Sequence, residues 1–272
     1  MPYSPEMLRA AREMYRYVPA RLVEAGGKEP RFEWAAEDIH LRLVPDCPAQ
    51  RQWNDSNFRV RCSSVALDDF HEGLLNGAVE SDLLHGLASS VFWGFASGSD
   101  GIIRVERALG KARCLAVGRG GPVSSRRIGP QRAKETISLI SQARDLLAQG
   151  DMGAALACAM NIQFLGMSFA SKLLMFMRPS AAVVFDSVIA RSLEHAPSNS
   201  LRAIASEAKR YSQLSRGRAY SSWCEYCSET AFKMSRLGDD FEWTDWNGLR
   251  QVWRAVDIER AIFALAAKQN LA

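Results

Sequence analysis

Between Asn161 and Leu193 the chain reads NIQFLGMSFASKLLMFMRPSAAVVFDSVIARSL, a helix, a turn at Gly166, a second helix and then one carboxylate, Asp186. Such a hairpin, opening its second helix at Ser168, Phe169 and Ala170, points backbone N–H groups at a phosphate oxygen. Gly166 supplies the permissive residue for the turn, while Ile162 and Leu165 anchor it in the core. A carboxylate beside that clamp could stabilise the positive charge that builds on a sugar when its N-glycosidic bond breaks, and could orient the attacking water. Lys172 lies one helical turn after Ser168 on the same face, so its amine is the natural candidate for attack at C1′, which would give a Schiff base and strand cleavage by elimination. Each residue also has a plainer reading. Asp186 is well placed to cap a helix, and Lys172 to touch a phosphate or sit on a surface. For Asp186 the two readings are compatible, because a helix N-terminus keeps a carboxylate ionised.

The elements that would position these residues are helical. Apolar residues recur mainly at helical spacing, without sustained alternation. A first helix is expected after Ser4, with Pro5 in its first turn, running past Pro19 to Gly26-Gly27. Residues 45–62 read as loop. Further helices are expected at Val79–Phe95, Arg104–Leu109, Gln131–Gln149, Met152–Ile162 and Ser168–Met177. Others follow Asp186 and span Leu201–Leu214, Tyr220–Arg236 and Trp246–Ala267.

With 272 residues and 47% hydrophobic content, the chain can bury a real core. No stretch approaches the roughly 20 apolar residues of a membrane span, and the N-terminus lacks a signal-peptide apolar run, so a cytoplasmic protein is expected. Six cysteines are too few for a disulfide scaffold. Cys224 and Cys227 form a CxxC pair in a helical context without a second ligand pair, and the four histidines show no ligand spacing, so neither metal nor cofactor is expected. The net charge of +4 permits a polyanionic partner. Its distribution says more: from Lys111 to Lys134 there are seven basic residues, Arg126 and Arg127 among them, and no acidic one. That stretch can follow a phosphate backbone, or serve only as a solvated loop.

A base removed from duplex DNA must first be flipped into a pocket of aromatic or apolar groups. Trp93, beside Gly94, and Trp243 and Trp246, in the polar run DDFEWTDWNG, are the candidate pocket residues.

The hairpin and its carboxylate resemble the helix-hairpin-helix DNA glycosylase superfamily, whose hairpin reads Leu-Pro-Gly-Val-Gly-x-Lys-x-Ala and is followed by Val-Asp-x-His-x-x-Arg. Gly166, Ala170, Asp186 and Arg191 match that pattern; Phe164 stands at the first hairpin glycine, Val188 at the histidine, and Ser168 at the Schiff-base lysine of members with lyase activity. FASKLLMFMRP, VVFDSVIAR, SSVFWGFASG and WRAVDIERAIFAL further resemble a prokaryotic group of 8-oxoguanine DNA glycosylase-like proteins, over about residues 80–272. The resemblance implies an all-α, two-lobed fold, with residues 80–178 in one lobe and residues 1–79 and 179–272 in the other. It implies a DNA cleft with Asp186 at its floor and Gly166, Ser168 and Arg191 on the DNA, double-stranded DNA as partner and no obligate protein partner. The expected reaction is hydrolytic release of a damaged or modified base. Its purpose would be repair, or defence against phage DNA carrying hypermodified, for example glucosylated, cytosine. The competing reading is a helix-hairpin-helix protein that grips DNA without catalysis.

Overall fold

The computed structural model describes residues 2–27, 31–96, 102–117, 132–210 and 212–269. Arg126 and Arg127 lie outside them. The first helix, α1 (Pro5–Met14), is capped by Ser4, whose Oγ accepts from the Met7 N–H at 3.2 Å. It does not run on to Gly26 as expected. The chain turns extended and pairs as β1 (Arg21–Glu24), β2 (Phe32–Ala36) and β3 (Ile39–Asp46), an antiparallel sheet in the order β1-β3-β2. The strands are short but do alternate: Phe32 and Trp34 point inward between outward-facing Glu33 and Ala35, and Leu41 and Leu43 do so around Arg42.

Two short helices, α2 (Gln50–Asn54) and α3 (Ser56–Arg59), occupy what reads as loop. Next come α4 (Ser64–Leu75), α5 (Glu80–Ala96), α6 (Val105–Val117), α7 (Ala133–Ala148), α8 (Met152–Ala159) and α9 (Met167–Met177). The chain ends with α10 (Ser187–Glu194), α11 (Asn199–Ala208), α12 (Gln213–Ser235), a two-stranded hairpin of β4 (Trp243–Thr244) and β5 (Arg250–Gln251), and α13 (Ala255–Gln269). The hairpin replaces the start of the expected helix at Trp246, because Gly248 takes φ +83° and turns the chain back. The architecture is thus mostly helical, 63% helix with small sheets, as expected of an all-α glycosylase-like fold.

Helix α5 is apolar nearly all round and is the hub, packed by α4, α6, α7, α9 and the sheet. Helix α13 packs on α1, α10 and α12. Helices α8 and α12 cross closely at Gly153 and Gly217; a Cβ added to Gly153 would lie 3.1 Å from the Gly217 carbonyl oxygen.

A buried ion network fixes α13 to α1 and α4. Arg260 donates from Nη1 and Nη2 to the two oxygens of Asp68, at 2.8 and 2.5 Å. Arg254 bridges Asp68 (2.7 Å) and Asp257 (3.0 Å), and Arg12 donates to Asp257 (3.0 Å) and Ser64 Oγ (2.7 Å). Asp245 in the β4–β5 turn accepts from the N–H groups of Ser64 and Val65, capping α4 from far along the chain. Cys224 and Cys227 are buried free thiols on α12, and burial pushes the Cys224 thiol up to about 12.

Candidate active site

Helix α8 and helix α9 are joined by a turn over residues 160–166, anchored by buried Ile162 and Leu165. The left-handed residue of the turn is Phe164, at φ +67° and exposed, and not Gly166. Gly166 is the N-cap of α9, with extended backbone at φ −81° and open space where a Cβ would go. The expectation that Gly166 provides the turn's conformational freedom is therefore corrected. No side chain caps α9, and the Phe169 N–H is taken by the Gly166 carbonyl at 3.0 Å.

After α9 the chain runs extended through buried Ala182, Val183, Val184 and Phe185. Two contacts set its position. The Phe185 N–H donates to Ser171 Oγ at 2.9 Å, and Trp223 Nε1 donates to the Val184 carbonyl at 2.9 Å. Asp186 follows as the N-cap of α10. Its Oδ1 accepts from the N–H groups of Val188 (2.9 Å) and Ile189 (3.1 Å). Its Oδ2 faces Lys172, whose Nζ lies 3.5 Å away. One oxygen thus serves the helix and the other faces the lysine.

The Lys172 side chain is 9% exposed. Its Nζ donates to Ser168 Oγ at 3.0 Å, so an amine rooted one turn later arrives beside Ser168. It also lies 5.3 Å from the centroid of the Phe169 ring. Phe169 in turn stacks on Phe95 with centroids 4.3 Å apart, and both rings are half-buried. The glycine beneath them has a steric reason: a Cβ on Gly94 would come within 2.5 Å of Phe169 Cε1 and 3.2 Å of Lys172 Cδ. Arg107 and Lys111 on α6 bring cationic groups to 6.0 and 5.6 Å from the Phe95 centroid.

A pocket of about 350 Å³ opens beside the carboxylate. Met167, Ser168 and Asp186 form one wall, and Ala205, Lys209 and Arg216 form another. Arg191 is exposed on α10, without an ion pair or hydrogen bond among the described residues.

The three tryptophans separate. Trp93 packs against Tyr17 (centroids 4.5 Å apart) and Phe176, next to Gly94, and its buried Nε1 has no hydrogen-bond partner among the described residues. Tyr17 donates to the Gly94 carbonyl at 3.2 Å, and burial and then the charge of Asp186 push its phenol up. Trp243 and Trp246 are core residues. Trp243 lies under the Arg12 guanidinium at 3.6 Å, while Trp246 packs on Tyr15 and Trp53 and donates to the Tyr15 carbonyl. They do not join the group around Asp186.

Sequence reasoning overlooked Ser171, Phe169 as a ring beside Lys172, and Glu259. Glu259 is 3% exposed in α13; burial and the charge of Asp186 push its carboxyl up to about 8. It falls inside the phrase WRAVDIERAIFAL, but nothing in its spacing relates it to Asp186. Among the described residues no group of three or more His, Cys, Asp or Glu is placed to hold a metal, and no helix is long and apolar enough to cross a membrane.

A family model described as "Putative 8-oxoguanine DNA glycosylase OGG-like protein" matches residues 71–263, well over half of the chain. No curated protein and no solved structure gives a match.

Proposed function

The chain belongs to the OGG-like 8-oxoguanine DNA glycosylase family and is a DNA glycosylase; we propose that it hydrolyses the N-glycosidic bond of a base flipped from double-stranded DNA, with Asp186 as the catalytic residue. The observation that carries this reading is the divided Asp186 carboxylate. Oδ1 is fixed by two backbone N–H groups of α10, which orient the group, while Oδ2 is turned to Lys172 and the carboxylate lines the pocket. A carboxylate oxygen held in a partly dry site stabilises an oxocarbenium-like sugar far better than one in water. The sugar would sit against Oδ2, with water attacking from the side that Asp186 orients.

The strand would enter between a lobe of residues 80–178 and a lobe of residues 1–79 and 179–272. Gly166 and Ser168, at the uncapped start of α9, would hold one phosphate, with Arg191, Arg216 and the basic stretch around Arg126 and Arg127 holding others. The half-buried Phe95–Phe169 pair and the unpartnered indole N–H of Trp93 would receive the flipped base, one by stacking and the other as a hydrogen-bond donor. Trp243 and Trp246, expected in the pocket, would act only through packing.

A second reading is favoured by one distance. Lys172 Nζ lies 3.0 Å from Ser168 Oγ, the position at which lyase-active members carry their amine, so Lys172 is the residue that would form a Schiff base if the enzyme also cuts the strand. For the substrate, Phe164, Ser168 and Val188 depart from the superfamily pattern, and residues 1–70 lie outside the family match. The family description suggests an oxidised purine and a repair role, while these departures leave room for a specialised base, such as the glucosylated cytosine of phage DNA, and an antiviral role.

The test is base release from duplexes carrying 8-oxoguanine, uracil, an alkylated purine or glucosylated hydroxymethylcytosine, with and without alkali. Breaks that require alkali and vanish in Asp186→Asn establish a monofunctional enzyme and name its substrate. Breaks without alkali, lost in Lys172→Met, establish the lyase. Full base release by Asp186→Asn removes Asp186 from the mechanism, and bound DNA with no release from any duplex leaves only the non-catalytic grip.

A further inference from the structure

The turn between α8 and α9 is closed by its own backbone. The Asn161 N–H donates to the Cys158 carbonyl at 3.0 Å, that of Ile162 to the Ala159 carbonyl at 3.1 Å, and that of Leu165 to the Ile162 carbonyl at 3.0 Å. Ile162, Gln163 and Leu165 are buried by this arrangement. Phe164 is the exception. Its side chain is 42% exposed and takes no part in the core. Its backbone, at φ +67°, lies in the left-handed region, which a residue with a Cβ enters against a steric penalty and glycine enters freely.

Glycine at this one position would relax the backbone and remove an exposed ring. Asparagine would also tolerate the conformation, and neither would disturb the hydrogen bonds that close the turn. The fold therefore draws no benefit from a phenyl group here that a smaller residue would not give it. Glu37, the other non-glycine residue at positive φ among the described residues, is different in kind: it is an exposed polar residue in the tight turn from β2 to β3, where hairpin geometry demands that conformation. A bulky apolar residue held left-handed at a loop tip is the kind of outlier from which a function is inferred.

Its place says what the ring meets. Met167 and Ser168, three and four residues on, line the pocket that holds Asp186. Three residues of chain span about 11 Å at most, and successive nucleotides of one strand follow at about 3.4 Å. A nucleotide seated in that pocket thus brings its neighbours on the strand within reach of Phe164. Taking its base out of the stack uncovers the adjoining base faces and sugars, surfaces on which an apolar ring packs without reading sequence. We propose that Phe164 is a DNA-contacting wedge, an apolar contact between the tip of the hairpin and the nucleotides that flank the flipped one. This rests on the reading of Asp186 as the site of base release.

Such a contact differs in kind from a phosphate contact by Arg191 or Arg216. It neutralises no phosphate and releases no counterion, so its share of the affinity does not depend on salt.

That difference is the test. Binding is followed by the fluorescence anisotropy of a labelled duplex carrying one tetrahydrofuran abasic analogue, which no glycosylase can cleave, from about 50 to about 200 mM NaCl. Phe164→Gly is expected to bind about tenfold more weakly throughout, with an unchanged slope of log Kd against log salt. Phe164→Trp, which restores a ring, is expected to bind as the wild type does. Arg216→Ala supplies the contrast, with a slope shallower by about one. The Tm of Phe164→Gly is expected to be no lower than that of the wild type, because glycine relaxes the left-handed backbone. Equal affinities of Phe164→Gly and wild type overturn the proposal, as does a loss accompanied by a changed slope or a lowered Tm. If the wild type releases no base from any duplex, yet Phe164→Gly still loses its affinity at constant slope, the wedge stands and the reading of Asp186 is at fault.

Discussion

On α13 the carboxyl of Asp257 is met by the guanidinium groups of Arg12 and Arg254, whereas that of Glu259, two residues on and so on the opposite face, meets none. Both are buried, and burial alone would raise both. The flanking arginines hold Asp257 down at about 2, while Glu259 is left at about 8. One face of the helix joins a network in which nearly every charge is answered, with Arg12 Nη1 the exception. On the other, Glu259 feels the charge of Asp186 and has no arginine bonded to it among the described residues. The first arrangement is what holding a structure requires. The second costs stability.

The contrast can be broken most severely from the structural side. Asp68→Ala leaves Arg260 buried without its partner and is expected to cost about 3–5 kcal/mol, read as a large fall in Tm or a protein that does not fold. The same class of change beside the pocket at Asp186 should behave differently. Asp186→Asn is expected to reduce base release by at least about 100-fold. Its unfolding midpoint should scarcely move, because Asn caps a helix about as well as Asp. Equal losses of stability in these two variants would erase the distinction between the faces.

Acid sharpens it. Asp257 is depressed in the folded state, so the stability it adds is present above the ordinary carboxylate value and is lost as the pH falls from about 4 towards 2, on the order of 2 kcal/mol. Replacing it by Asn should flatten that part of the pH–stability curve and leave the neutral-to-alkaline part unchanged. Gly94→Ala should cost about 1–3 kcal/mol, because the new methyl meets Phe169. It should also impair base release beyond its effect on stability, since Phe169 and Lys172 must shift together; a loss confined to stability would place the Phe95–Phe169 pair outside the base site. The smallest effect is expected at the hairpin: Gly166→Ala should change stability by less than about 0.5 kcal/mol, in keeping with its extended backbone and open surroundings.

Much of this was legible in the sequence, and the rest failed for identifiable reasons. Val79–Phe95 was expected as a helix and Glu80–Ala96 forms one; the cap at Asp186 and the burial of Ile162 and Leu165 also follow from residue type and period. The sheet at residues 21–46 was missed because its strands are too short for alternation to stand out, although Phe-Glu-Trp and Leu-Arg-Leu carry it. The β4–β5 hairpin was missed although Asn247-Gly248 is a strong turn signal; the aromatic residues around it drew attention to a pocket when they were serving the core. Around the candidate site, the approach of Lys172 to Asp186 was legible because the hairpin brings them near each other in sequence, and Trp93 was picked out beside Gly94. The Phe95–Phe169 stack was not, because only the packing of α5 on α9 makes it and no local pattern encodes it. The basic run around Arg126 and Arg127 falls outside the described residues.

The capping of α4 by Asp245 and the ties from Arg12 and Asp68 to α13 also set an order of events during synthesis. Arg12 and Asp68, made early, wait for α13 before their buried charges find partners, so this network cannot lock α1 and α4 together until α13 has been made. A chain cut before α13 is expected to leave Arg12 and Asp68 without their buried partners and so to fold poorly.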